Sequence, residues 1–170
     1  MKKIFILTFL IFAVFTSGNC QEQKTKNRKQ IRKERQSERI KEIQQLLDNK
    51  TFIFKATHAL PMGGGSIQLD YSFDAEVKND TIDSYLPFFG VAYRVDYGGR
   101  DSGFNFTEAI ENYKTEKSKN GYLINFDVKN KMDYLNFTFH ISKPGYATLN
   151  IISTNRQAIS YYGYLETPKE

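Results

Sequence analysis

The hydrophobic pattern of the chain changes period once. From Thr51 onward, apolar and polar residues alternate. In "IQLDYSFDAEVK", Ile67, Leu69, Tyr71, Phe73, Ala75 and Val77 share one parity, and the residues between them are polar or charged. "YLINFDVK" repeats the pattern through Tyr122, Ile124, Phe126 and Val128, and "DYLNFTFHI" through Leu135, Phe137, Phe139 and Ile141. A period of two with one apolar side is the mark of an antiparallel strand that buries one face. Turn-forming stretches punctuate these runs: "KND", "YGGRDSG", "KNG", "KNKMD", "KPG" and "TNR". The spacing predicts strands at 51–59, 66–78, 81–86, 91–97, 103–106, 110–118, 121–129, 133–142, 146–153 and 157–165. "FTEAIENYKTEK" is assigned to strand because the hairpin signal Asn120-Gly121 needs a partner before it. The expected fold class is mainly β: an antiparallel meander forming a small barrel or a two-sheet sandwich, preceded by one charged N-terminal helix.

Before Thr51 the pattern differs. Residues 21–50 contain no Gly and no Pro and are rich in charged residues and Gln, all good helix formers. Ile40, Ile43, Leu46 and Leu47 form a late apolar stripe at helical spacing. This predicts a helix over about 34–48 docked through its end, with 21–33 disordered or frayed because almost nothing there can be buried.

The N-terminus supplies the compartment. Met1-Lys2-Lys3 precedes the apolar run "IFILTFLIFAVF" and the small and polar "TSGNC". This is the three-part pattern of a signal peptide, and the run is shorter than the ~20 residues a spanning helix needs. Residues 1–20 are therefore expected to direct export to the periplasm or outer membrane, followed by an arm and helix over 21–50 and a β domain over 51–170. Cys20 is the single cysteine, so the chain has no intrachain disulfide framework. It allows two readings, cleavage after Cys20 or lipidation of Cys20. Ser17 and Asn19 stand where a lipoprotein signal usually has Leu and Gly or Ala, which favours simple cleavage.

Charge separates the two regions. Residues 21–50 hold ten Lys or Arg against five Asp or Glu. With Lys2 and Lys3 set aside from the total of +5, residues 51–170 carry −2. The basic character belongs to the arm. Residues 24–41 could meet an anionic envelope surface, or serve only as a tether. An exported chain is not expected to meet nucleic acid.

Candidate chemistry is sparse. "PMGGGS" leads into a strand and lacks the helix a phosphate loop needs. "DYGGRDSG" lacks the acidic density of a calcium loop. His58 and His140 are the two histidines; His140 falls on the polar side of its strand and His58 shares parity with Phe52 and Phe54. No metal, cofactor or catalytic activity is expected. The aromatic run "YLPFFGVAY" joins two strands, and Pro87 and Gly90 mark a bend there. Asn155-Arg156 falls at a hairpin reversal, where an Asn tolerates left-handed geometry and the arginine could stack on a ring.

Two of these stretches carry a resemblance. Tyr85, Leu86, Pro87, Phe89, Gly90 and Tyr93, and downstream Ser153, Asn155, Arg156, Ile159, Tyr161 and Gly163, resemble the two marks of the secreted bacterial family called domain of unknown function 4251. The likeness spans roughly residues 35–167 and implies export, a basic helical lead and a β-rich domain, with no assigned activity. The function expected from these readings is a non-enzymatic binding domain holding an apolar or glycan ligand. Its candidate contacts are Tyr85, Phe88, Phe89, Tyr93, Arg94, Arg156, Tyr161 and Tyr162. The alternative is a structural or interaction protein of the cell envelope, meeting a partner through its basic arm or an aromatic edge.

Overall fold

The computed structural model describes residues 28–94 and 103–168. Two compact units divide the chain, Met1–Glu34 and Arg35–Glu170. Helix α1 (Arg28–Asp48) begins in the first and ends in the second. Residues 28–33, expected to be frayed, are helical, as their helix-forming composition allows. Residues 21–27 lie outside the described residues.

Nine strands follow: β1 (Thr51–Pro61), β2 (Ile67–Gln68), β3 (Asp74–Lys78), β4 (Thr81–Leu86), β5 (Phe104–Lys117), β6 (Gly121–Asn130), β7 (Asp133–Ser142), β8 (Tyr146–Ser153) and β9 (Ile159–Glu166). All pairings are antiparallel. β9 pairs back onto β1, so β1 and β3 to β9 close an eight-stranded barrel, with β2 as an extra strand on β1. The barrel is one of the two architectures the alternation left open.

Where the strands depart from the expected ones, bulges and rims explain it. The segment 66–78 runs along β1 but is not one strand. Leu69 N donates to Thr57 O at 2.9 Å and Ala56 N to Phe73 O at 3.0 Å, while Asp70, Tyr71 and Ser72 bulge out between them. Ala75 and Val77 are buried, and Leu69 and Phe73 are half-buried. Tyr71, expected inside, is 82% exposed. Ile67 is exposed because β2 has β1 as its one neighbour. A second bulge, between Ala56 and His58 on β1, turns Ala59 into the core in place of His58. The two strands expected at 103–106 and 110–118 are a single strand, β5, bulged at Asn112, whose φ is 54°. The strand expected at 91–97 is absent over 91–94, which hold one isolated bridge, Ala92 to Arg156; its remainder lies outside the described residues. The β5–β6 hairpin closes through Ser118 N to Gly121 O at 2.8 Å, without positive φ at Asn120 or Gly121.

The inward faces form one core. Phe126 stacks on Phe137 at 5.3 Å and on Phe139 at 5.9 Å, and Phe139 meets the rings of Phe52 and Phe54 edge-on at 5.7 and 5.6 Å. Phe52, Phe54, Phe126, Phe137, Phe139 and Tyr161 are all fully buried. At the end where the chain enters β1, the second half of α1 seats on the barrel. Ile43, Leu46 and Leu47 join the core. Each contributes about 1.5–3 kcal/mol by burial, far more than the roughly 0.3–0.5 kcal/mol of an exposed helical ion pair such as Arg39–Glu42. Arg39 also donates to the Leu165 carbonyl, and Thr167 Oγ1 donates to Glu42 Oε1 at 2.7 Å.

Candidate functional site

The eight candidate residues divide among three places. Phe88, Arg156 and Tyr161 come together at the barrel end opposite α1. There the chain leaves β4 at Pro87 and turns Phe88 into the core, against Phe104 at 5.7 Å. The Arg156 guanidinium lies over both rings, 5.5 Å from that of Phe88 and 5.1 Å from that of Phe104, and donates through Nη1 to Gly103 O at 3.0 Å. Tyr161, pointing inward from β9, donates its hydroxyl to Pro87 O at 2.8 Å. Burial pushes its phenol far above the ordinary range, with the Arg156 charge acting in the opposite direction. The two sequence marks therefore meet in one interlock: an arginine between two rings and a buried phenol holding the proline corner.

Phe89, half-buried against the core, Tyr93 and Arg94 form the rim of that interlock. Tyr93 N and Arg94 N both donate to Asn155 O, at 2.7 and 3.3 Å, and Gln157 N donates to Val91 O at 3.0 Å. Their side chains differ in exposure: Tyr93 and Arg94 are in solvent. Asn155 does not use the left-handed conformation that an asparagine tolerates. Its N–H donates to Asp133 Oδ1 and its side-chain amide to Met132 O, both at 3.3 Å. Asp133 is the organising residue that pattern reading missed. Its carboxylate also accepts from the Ser153 hydroxyl at 2.8 Å and from the Thr154 N–H and hydroxyl at 3.2 and 3.0 Å. An acidic residue opening a strand just after "KNKM" is the one signal that could have drawn attention to it.

Tyr85 and Tyr162 lie elsewhere, on the outer face. Tyr85 stacks on Phe73 at 5.3 Å. Tyr162 borders an open cleft of about 820 Å³ on the outside of the barrel, near the β5–β6 hairpin. Its floor is a row of outward residues paired one to the next across four strands: Leu123 on β6, His140 on β7, Thr148 on β8 and Tyr162 on β9. One wall is the hairpin end, Glu116, Lys117, Ser118, Asn120 and Gly121, beyond the bulge that bends β5 at Asn112. Tyr146, 70% exposed and paired with Tyr164, lines the cleft together with Tyr162, 51% exposed. Thr57 Oγ1 donates to Tyr162 O at 3.1 Å and fixes the backbone there. Of the cleft residues, Tyr162 is a candidate contact from the sequence, and His140 lies on its strand's polar side as its parity indicates.

His58 ends the same paired row, opposite Tyr162. Three strand steps separate it from His140, about 14 Å at ordinary strand spacing, so the two imidazoles do not share a site. Among the described residues no cluster of three His, Cys, Asp or Glu could hold a metal ion.

The family model described as Domain of unknown function (DUF4251) matches residues 34–165. Among solved structures, a DUF4251 family protein from Bacteroides eggerthii DSM 20697 superposes with a TM-score of 0.60 at 16% identity, covering 78% of this chain and 91% of that one. At that identity the likeness concerns the fold alone. No curated protein matches the chain.

Proposed function

The chain belongs to the DUF4251 family, and on that footing we propose that it is an exported binding module, not a catalyst, that works from the outer face of its barrel. One observation carries this reading. The barrel interior is occupied by stacked rings and both its ends by packed side chains, those of α1 and Phe88, whereas the concavity with exposed rings lies outside. Ligand pockets are concave, with apolar surface and a few polar groups, and the outer cleft has that composition. The interlock residues Phe88, Arg156 and Tyr161 are spent on each other, which speaks for a structural role at that end.

The test is native mass spectrometry of the protein isolated from its own cell envelope, beside a Tyr146→Ala/Tyr162→Ala variant. The proposal expects a bound adduct on the wild type that the variant lacks. A wild type free of adduct, or an adduct retained by the variant, overturns it. Export is supported by the N-terminal pattern of Lys2, Lys3 and the apolar run that follows. N-terminal sequencing of the mature protein is expected to begin at Gln21; a lipid-modified Cys20 would favour the lipoprotein form.

A second reading has its own observation. The first turns of α1 expose Arg28, Lys29, Arg32, Lys33 and Arg35, with Glu34 as the one acidic residue among them. Such a segment suits an anionic envelope surface. Sedimentation with phosphatidylglycerol vesicles tests it: removing residues 21–34 should abolish the association, and unchanged association would leave the arm as a tether.

A further inference from the structure

We infer that the outer face of β6 to β9, entered through the cleft at Tyr146 and Tyr162, binds a neutral oligosaccharide. The inference rests on the outer-face reading above and names its ligand class.

Two independent features of that face support it. The first is the cleft, where the exposed phenols of Tyr146 and Tyr162 adjoin leucine, imidazole and hydroxyl, and Glu116 and Lys117 on the hairpin wall bring opposite charges that leave it without net charge. The second is the surface next to it. Two residues further along the same strands runs a second paired row, Asn125, Thr138, Asn150 and Ser160. These side chains are held in place by one another. Asn125 Nδ2 donates to Asn136 Oδ1 at 3.1 Å and to Thr138 Oγ1 at 2.9 Å, and Asn136 Nδ2 donates to Asp127 Oδ1 at 2.8 Å. Ser160 Oγ donates to Asn150 Oδ1 at 2.6 Å, while the Asn150 amide N–H groups have no acceptor among the described residues. The outward residues of these four strands carry charge at the margins, on Asp127, Lys129 and Glu166, and none in the centre. An outward β face is ordinarily the place for Lys, Glu and Arg.

The chemistry selects among ligands. A phosphate or carboxylate would call for arginine forks, and the centre of the face has none. A lipid chain would cover the asparagines and leave their amides unpaired, at a cost per buried group that apolar contact does not offset. A peptide strand adds to a free sheet edge, and β6 to β9 have both edges paired within the barrel. A neutral sugar presents C–H faces to rings and hydroxyls to amides, and so matches both features at once. The two rows cross four strands, about 14 Å, enough for a short oligomer.

The experiment titrates the mature protein with β-1,4-linked glucose and N-acetylglucosamine oligomers of three to six units, with dextran sulfate as the charged control. Calorimetry and tyrosine chemical shifts follow the binding. The inference expects a neutral oligomer to bind, Tyr146→Ala and Tyr162→Ala each to weaken it about tenfold, and Asn150→Ala to weaken it with the fold unchanged by circular dichroism. It is overturned if none of these oligomers binds, if the Tyr146→Ala/Tyr162→Ala variant binds them as well as the wild type, or if dextran sulfate alone binds. An envelope-derived adduct that needs both tyrosines yet releases no sugar on acid hydrolysis overturns the saccharide and leaves the outer-face module standing. Absence of both adduct and oligomer binding overturns the two together.

Discussion

The hydroxyl of Tyr161 donates to the carbonyl of Pro87 at 2.8 Å across 74 positions of sequence. This bond joins the centre of one sequence mark to the centre of the other, and both ends of it lie at the rim of a closed barrel. Removing the hydroxyl alone leaves a carbonyl without its donor. Tyr161→Phe is expected to lower stability by about 1–3 kcal/mol in urea denaturation while cleft binding is retained. Loss of binding without loss of stability would instead place Tyr161 in a site.

Arg156 is held by two ring faces as well as by a hydrogen bond to Gly103 O. Lysine keeps the charge but not the plane. Arg156→Lys is expected to cost about 1–2 kcal/mol, of the order of the lost stacking. Phe88→Ala is expected to cost more, about 3–5 kcal/mol, because it removes a packed ring. Equal stability of wild type and Arg156→Lys would contradict the interlock.

Gly145 has φ of 95°, and a Cβ there would fall 2.6 Å from Ile43 Cδ1. Strain and overlap act together, so Gly145→Ala is expected to destabilise by about 1–3 kcal/mol. Ile43→Ala, which opens space at the same contact, is expected to cost about 2–5 kcal/mol on its own. The Gly145→Ala penalty should shrink when Ile43 is alanine, which a double-mutant cycle measures; full additivity would show that the helix does not press on this turn.

Ser84 faces the core at 2% exposure, with no hydrogen-bond partner for its hydroxyl among the described residues. Ser84→Ala should therefore raise stability, by about 1 kcal/mol. A loss of that size would mean that the hydroxyl is satisfied.

Two carboxylates, Glu42 and Asp127, are held below their ordinary range and tie stability to acid pH. Glu42 is held below its ordinary pKa by the Thr167 hydroxyl and then by Arg39, and Asp127 by the amides of Asn136 and then Asn112. A group whose pKa is lowered on folding stabilises above its unfolded value, and that stability is lost as pH falls through the folded value. Stability should thus decline below about pH 4, modestly, because both groups are near solvent. Glu42→Gln with Asp127→Asn should flatten the decline in urea titrations run across pH; an unchanged slope would contradict the assignment.

The alternation of "YLINFDVK" and "DYLNFTFHI" maps directly onto β6 and β7, since neither strand is bulged and their shared register runs unbroken. It misplaced Tyr71 and His58, because a bulge resets parity without leaving a mark in the hydrophobic pattern. The helix stripe was legible from Ile40 to Leu47, as apolar spacing alone decides which face docks. Barrel closure was not, because it depends on β9 meeting β1 across the whole domain. Phe88, Arg156 and Tyr161 were singled out as unusual residues, but their partnership needed coordinates: Arg156 reaches Phe88 and Phe104 through the β8–β9 turn. The cleft was the least legible part. Leu123, His140 and Thr148 are unremarkable one by one, and only register sets them in a row with the candidate Tyr162.

A barrel that binds from outside reports its ligand through outward rings and not through inward ones. Mapping tyrosine and phenylalanine ring chemical shifts during the oligosaccharide titration tests binding from outside most directly. The signals of Tyr146 and Tyr162 are expected to move while those of the inward Phe126, Phe139 and Tyr161 stay in place. Shifts concentrated on the inward rings, with Tyr146 and Tyr162 unmoved, would contradict it.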